Sequence, residues 1–128
     1  NPHIIEGQMH GSCSMGQGYA LTEGYPTENG YPVKTLYRQL GLPRVEDTPD
    51  YEIILIEDPE PQGPFGAKGI SEVATVPVTP AILNAVSRAI GVRINKVPAS
   101  PEVVLEAIRT GKCDVPTMEQ QIKELEKR

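Results

Sequence analysis

Small residues, more than apolar ones, set the first pattern along this chain. Gly7, Gly11, Gly16, Gly18 and Gly24 crowd residues 7 to 24, and Gly16-Gln17-Gly18-Tyr19-Ala20-Leu21-Thr22-Glu23 turns from a glycine pattern into a helical one. An interior glycine costs a helix about 1 kcal/mol against alanine, so a helix written this way is expected to pack closely against another backbone or a flat ligand. In Tyr25-Pro26-Thr27-Glu28-Asn29-Gly30-Tyr31-Pro32-Val33, Asn-Gly between tyrosines predicts a hairpin turn. Residues 34 to 50 show no regular period. Tyr51-Glu52-Ile53-Ile54-Leu55-Ile56-Glu57 then reads as a strand apolar enough to be buried on both faces, the clearest member of a sheet.

The second half switches to helical spacing. Thr79 is placed as an N-cap and Pro80 as the first helical residue; Ile82, Ala85, Val86, Ala89 and Ile90 form one stripe, and Gly91 stops it. Ser100 and Pro101 repeat that entry, with Glu102 at the positive end, Val104, Ala107 and Ile108 on the stripe, and Arg109 and Gly111 at the close. Thr117-Met118-Glu119-Gln120 has capping-box spacing and opens a last amphipathic segment with Met118, Ile122 and Leu125 on one side. The expected class is α+β: a mixed sheet with helices, three of them in the C-terminal half.

Composition narrows the partners. The 128 residues fit one domain, 1–128, able to bury roughly two thirds of its extended surface. A net charge of −5 without a Lys/Arg cluster argues against nucleic acid and anionic membranes. The apolar runs are shorter than the ~20 residues a bilayer requires, so a soluble chain is expected. Cys13 and Cys113 lack zinc or iron–sulfur spacing and read as free thiols in a reducing compartment, which suggests the cytoplasm. His3 and His10 have no spaced partners, so no metal-ligand set is assigned. Gly16-Gln17-Gly18 lacks the third glycine and the preceding strand of a dinucleotide fingerprint, and Lys68 lacks the Gly-Lys-Ser/Thr order of a phosphate loop.

The stretch richest in chemistry is Gln62-Gly63-Pro64-Phe65-Gly66-Ala67-Lys68-Gly69-Ile70-Ser71-Glu72. Its glycines allow backbone conformations and close approaches that side chains forbid, and the loop ends on a carboxylate. Taken alone, Glu72 is most simply an exposed first-turn glutamate.

This stretch resembles a sequence near the C-terminus of the molybdenum-binding subunit of molybdenum hydroxylases, the xanthine dehydrogenase and aldehyde oxidoreductase family. That pattern runs approximately Gly-Pro-Phe-Gly-Ala-Lys-Gly-x-Gly-Glu, with Ser71 here in place of a glycine. A second segment, Glu6-Gly7-Gln8 through Ala20-Leu21, is similar to the family's Glu-Gly-Gln-x-x-Gly-Gly-x-x-Gln-Gly-x-Gly-x-Ala-Leu, with Ser12 at a glycine and Met15 at the glutamine. Met15 cannot supply the amide that glutamine offers. The segment 97 to 104 also resembles the family's closing stretch.

The resemblance implies the C-terminal portion of a molybdopterin-binding domain, a piece of a longer chain. It implies oxidative hydroxylation of a heterocycle, purine or aldehyde with water as oxygen source. Glu72 would be the catalytic base, and Gly11, Ser12, Met15, Gly16, Ala67, Lys68, Gly69 and Ser71 would border the molybdopterin. Implied partners are the remainder of that subunit, iron–sulfur and FAD subunits or domains, and a small-molecule substrate. The piece alone is expected to bind no cofactor and to self-associate as a homo-oligomer. Two rival readings are a catalytically inert structural domain and a small α+β interaction module.

Overall fold

The structure, a computed structural model, describes residues 1–113. Its first element, α1, spans Pro2–Leu21, starting well before the stretch where helical spacing becomes visible in the sequence. Asn1 caps it, its side chain accepting from the Ile4 amide at 3.3 Å, and Pro2 occupies the first turn, where a missing N–H costs nothing. Four glycines inside one helix point to packing, not propensity, as its support. A Cβ on Gly16 would lie 2.5 Å from the Cβ of Val78, and one on Gly18 would lie 2.9 Å from Pro43 Cδ. Both glycines are buried.

The hairpin expected at Asn-Gly is present. β1 (Thr27–Glu28) pairs antiparallel with β2 (Tyr31–Pro32), and Asn29 and Gly30 take φ of 51° and 82°, the double left-handed turn such loops need. Helix α2 spans Val78–Ile90 and α3 spans Pro101–Thr110; Gly91 and Gly111 end them at φ of 71° and 69°. Ser100 is the N-cap residue of α3, and its hydrogen bond to Glu102 holds that carboxyl below the usual range. Ile94, Ala99 and Ala107 form the core, with Leu83, Val86, Ile90, Val92 and Val104 packed against it. The Ala99 amide donates to the Ala20 carbonyl at 2.6 Å, joining this core to the end of α1. Ile108, assigned to the α3 stripe, is instead 55% exposed.

The α+β class holds, while several details differ from expectation. Among the described residues the sheet is the two-stranded hairpin alone. Residues 51–57 carry no regular secondary structure and no backbone hydrogen bond to another described segment, and Ile54 and Ile56 are 76% and 87% exposed. An apolar run makes a strand only where a neighbouring edge accepts its N–H and C=O groups, and no such edge lies within the described residues. The C-terminal half shows two helices; the expected third, from Thr117, lies outside the described residues.

Thr79 is not the α2 cap. The helix begins one residue earlier, and the Thr79 hydroxyl donates to the Gly16 carbonyl at 2.9 Å, a tertiary contact. Glu72–Ile90 is a 19-residue stretch whose mean hydropathy of 1.3 passes for a membrane span by composition, contrary to the reading of short apolar runs. Its α-helical part is the 13 residues of α2, fewer than the ~20 that cross a bilayer, and α2 packs on α1.

The chain exposes 10493 Å². A self-contained protein of 13.9 kDa exposes about 6,700 Å², so about half of the extended surface is buried, not two thirds.

Gly16→Ala should destabilise the protein, because the added methyl must displace Val78; overpacking of this kind costs about 1–3 kcal/mol. Gly7→Ala meets nothing within 4 Å and should stabilise it by about 0.5–1 kcal/mol. Thermal melts followed by circular dichroism check both, and a Gly16→Ala protein as stable as wild type would contradict the α1–α2 packing.

Candidate functional site

The glycine-rich loop is closed at its base by two contacts. Lys68 Nζ donates to Asp58 Oδ2 at 2.9 Å, and the Glu60 amide donates to the Gly66 carbonyl at 3.1 Å. Inside them, Gly63 donates to Glu60, Gly66 to Gly63, and Ala67 to Pro64, a succession of tight turns. Gly66 takes φ of 70°, the left-handed region that favours glycine, and a Cβ there would lie 3.1 Å from Pro59; a Cβ at Gly63 would lie 3.1 Å from the Glu60 side chain, which would have to shift by a few tenths of an ångström. Between them Phe65 stands fully exposed in the left-handed region, φ 57°. That conformation is costly for a bulky residue and persists only where its surroundings impose it.

Beyond Lys68 the backbone opens. The amides of residues 68 to 73 find no acceptor among the described residues. Glu72 begins a single 3-10 turn, Glu72–Ala74, and its side chain faces solvent. This turn packs on α1: Ser12, 8% exposed, donates its hydroxyl to the Ser71 carbonyl at 3.2 Å. The two motifs, about sixty residues apart in sequence, therefore meet at Ser12 and Ser71.

The other site residues divide by helix face. Ser12 and Gly16 lie one turn apart on the side covered by the 71–79 segment, and the space in front of Gly16 is taken by Val78. Gly11 and Met15 lie one turn apart on the adjoining side; a Cβ at Gly11 would meet nothing within 4 Å, and Met15 is 48% exposed. Gly69 is equally open and Ala67 is exposed. Lys68 is engaged by Asp58, an ion-pair partner that the sequence alone leaves unassigned; only its position across the loop mouth hints at it.

A groove of about 450 Å³ runs between the start of α1 (Ile5, Met9), residues 54 to 59, and Gly66 to Ile70. Glu72 does not line it. Further along α1, His10 meets Tyr51 edge to face at 5.5 Å, the Tyr51 hydroxyl donates to Gln17 Oε1 at 3.3 Å, and Gln17 Nε2 donates to the Asp47 carbonyl at 2.7 Å. Burial, and secondarily the Cys13 thiol nearby, push the Tyr51 phenol up. No group of three or more His, Cys, Asp or Glu able to hold a metal occurs among the described residues.

Known proteins share sequence and fold with this chain over most of its length. Residues 1–49 match the family described as molybdopterin cofactor-binding domain. Over 108 residues the chain is 39% identical to a probable xanthine dehydrogenase subunit of Bacillus subtilis, and over 110 residues 40% identical to the aldehyde oxidoreductase of Megalodesulfovibrio gigas. These alignments cover 84% and 85% of the chain, and so take in the glycine-rich loop at its middle, but only 14% and 12% of the relatives. The fold superposes on quinoline 2-oxidoreductase from Pseudomonas putida with a TM-score of 0.78 at 32% identity, covering 86% of this chain and 14% of that one. On a Cu,Mo-CO dehydrogenase the TM-score is 0.75 at 27% identity, covering 90% and 15%. These likenesses define the class, a molybdopterin-binding fold. Within it, the chain is similar to xanthine dehydrogenases and aldehyde oxidoreductases, and its aligned stretch spans about one seventh of the length of the relatives it matches.

Replacing Lys68 by Met should loosen the loop mouth while leaving global stability nearly unchanged, since exposed ion pairs contribute about 0–1 kcal/mol. Limited proteolysis should cut faster between residues 60 and 70, and unchanged cutting would show that the turns alone hold the loop.

Proposed function

We propose that the protein carrying this chain is a molybdopterin-dependent hydroxylase of the xanthine dehydrogenase and aldehyde oxidoreductase kind, with Glu72 as its general base. One observation carries the reading: the turn bearing Glu72 is joined through Ser71 to the helix bearing the second family motif. The residues present also fit the cofactor. Open space at Gly11 and at Gly69, and amides of residues 68 to 73 that find no acceptor among the described residues, supply the room and the hydrogen-bond donors that a pterin and its phosphate need.

In this reading Gly11 and Met15 on α1, with Ala67, Gly69 and Ser71 in the loop, border the cofactor, and Ser12, Gly16 and Lys68 support that border from the protein side. Gly16 contributes by letting α2 close on the helix, and Lys68 by holding the loop mouth. When bound, the cofactor accepts the two electrons removed from the substrate. The substrate, a heterocycle, purine or aldehyde, exchanges a C–H bond for a C–O bond whose oxygen comes from water. Two protons are released, and the Glu72 carboxylate takes the one on the attacking oxygen. The electrons then pass to iron–sulfur and flavin groups in other domains or subunits.

Alone, the chain is proposed to be inert. Glu72 is open to water here, and one helix and one loop cannot offset the entropy lost in binding so large a cofactor. Its free thiols, Cys13 and Cys113, favour a reducing compartment, and cytoplasm is proposed on that ground.

Glu72→Gln in the full-length enzyme should retain molybdenum while lowering turnover by about 10²–10⁴-fold, the usual contribution of a general acid or base. Turnover near wild type would sink the assignment. The isolated chain should purify without molybdenum and self-associate through its exposed apolar run at residues 53 to 56. A strict monomer by light scattering at high concentration, or stoichiometric molybdenum, would defeat that expectation.

A further inference from the structure

We infer that Ser12 is the positioning residue for Glu72, an inference that rests on the reading of Glu72 as the base. A serine inside a helix ordinarily faces water or bonds the carbonyl one turn back. Ser12 does neither: it is 8% exposed, and its hydroxyl donates across 59 residues of sequence to the Ser71 carbonyl. It also stands where the family pattern carries glycine, which has no hydroxyl to give.

The consequence follows from peptide geometry. The Ser71 carbonyl and the Glu72 amide belong to one planar unit that reaches from one Cα to the next. Fixing that oxygen fixes the plane, and with it the point from which the Glu72 side chain leaves the backbone. Among the described residues no side chain caps the turn, and the Ser71 oxygen accepts from just two groups, the Ala74 amide at 3.2 Å and Ser12. The first is internal to the turn and moves with it. Ser12 alone ties that peptide to α1. The other tie, from Thr79 to the Gly16 carbonyl, lies seven residues beyond Glu72 and holds α2.

The test compares Ser12→Ala and Ser12→Thr with wild type and Glu72→Gln in the full-length holoenzyme, with kcat expressed per bound molybdenum. Ser12→Ala should lower kcat by about 10- to 100-fold, as a misplaced catalytic group does, with KM within about two-fold. The acidic limb of its pH profile should shift, and amide hydrogen exchange at Ala74 and Thr75 should quicken. Ser12→Thr, which keeps the hydroxyl, should restore both readouts. A role in stability alone predicts lower molybdenum content or melting temperature with wild-type kcat per molybdenum. That result, beside an inactive Glu72→Gln, overturns the positioning role and leaves the base assignment standing. An active Glu72→Gln overturns the base assignment itself.

Discussion

The contact on which the rest of the structure depends is the seating of α2 on Gly16 of α1. Val78 occupies the volume a side chain at position 16 would fill, and the hydroxyl of the next residue, Thr79, donates to the Gly16 carbonyl. A packing contact and a hydrogen bond at one helical position fix both the distance and the rotation of α2. That seat places α2. The 3-10 turn preceding α2 is tied at its other end by a separate contact, from Ser12, one helical turn before Gly16. Glycine is thus used twice, with opposite effect: Gly16 lets protein approach, whereas Gly11 leaves a surface open.

The same economy explains why the chain looks incomplete by its own energetics. Its core is built from Ile94 and three alanines, among them Ala20, and among the described residues no large side chain is fully buried. Apolar burial is the main favourable term in folding, and small residues supply little of it. The larger apolar groups, Ile54, Ile56, Val45 and Phe65, point outward. Residues 51 to 58 present both apolar side chains and unpaired backbone, a combination that water tolerates poorly and an adjoining strand or domain would satisfy. The relatives, about six to seven times as long, have ample chain with which to do so.

What the sequence disclosed and what it withheld follow one rule. Features set by neighbours in sequence were legible: the Asn29-Gly30 turn, the α3 start at Ser100-Pro101, the stops at Gly91 and Gly111, and the family-like loop. Features set by distant neighbours were not. The run at 51 to 57 has strand composition, but composition does not provide a pairing edge. Thr79 has the chemistry of a cap, and tertiary packing engaged its hydroxyl elsewhere. The start of α1 was hidden because its glycines oppose helix formation locally while a contact sixty residues away repays them. At the site, the motifs single out residues on two distant segments, and could not show that Gly16 is covered while Gly11 is open.

That difference between Gly11 and Gly16 bears on how α1 can serve a ligand and a fold together. Residues spaced by four share a helix face, so 12 and 16 form one row and 11 and 15 the next. The first row is committed to Ser71 and Val78, which are protein, leaving the second row as the edge where a ligand can lie against the helix. Glu72 follows the Ser71 carbonyl that the first row anchors, and its own side chain is open to solvent. In the proposed reading that combination is what a base requires, held from the protein side and yet able to reach a proton that is not the protein's own. Met15 sits on the open row, and its side chain, lacking a donor, offers a ligand there only apolar contact.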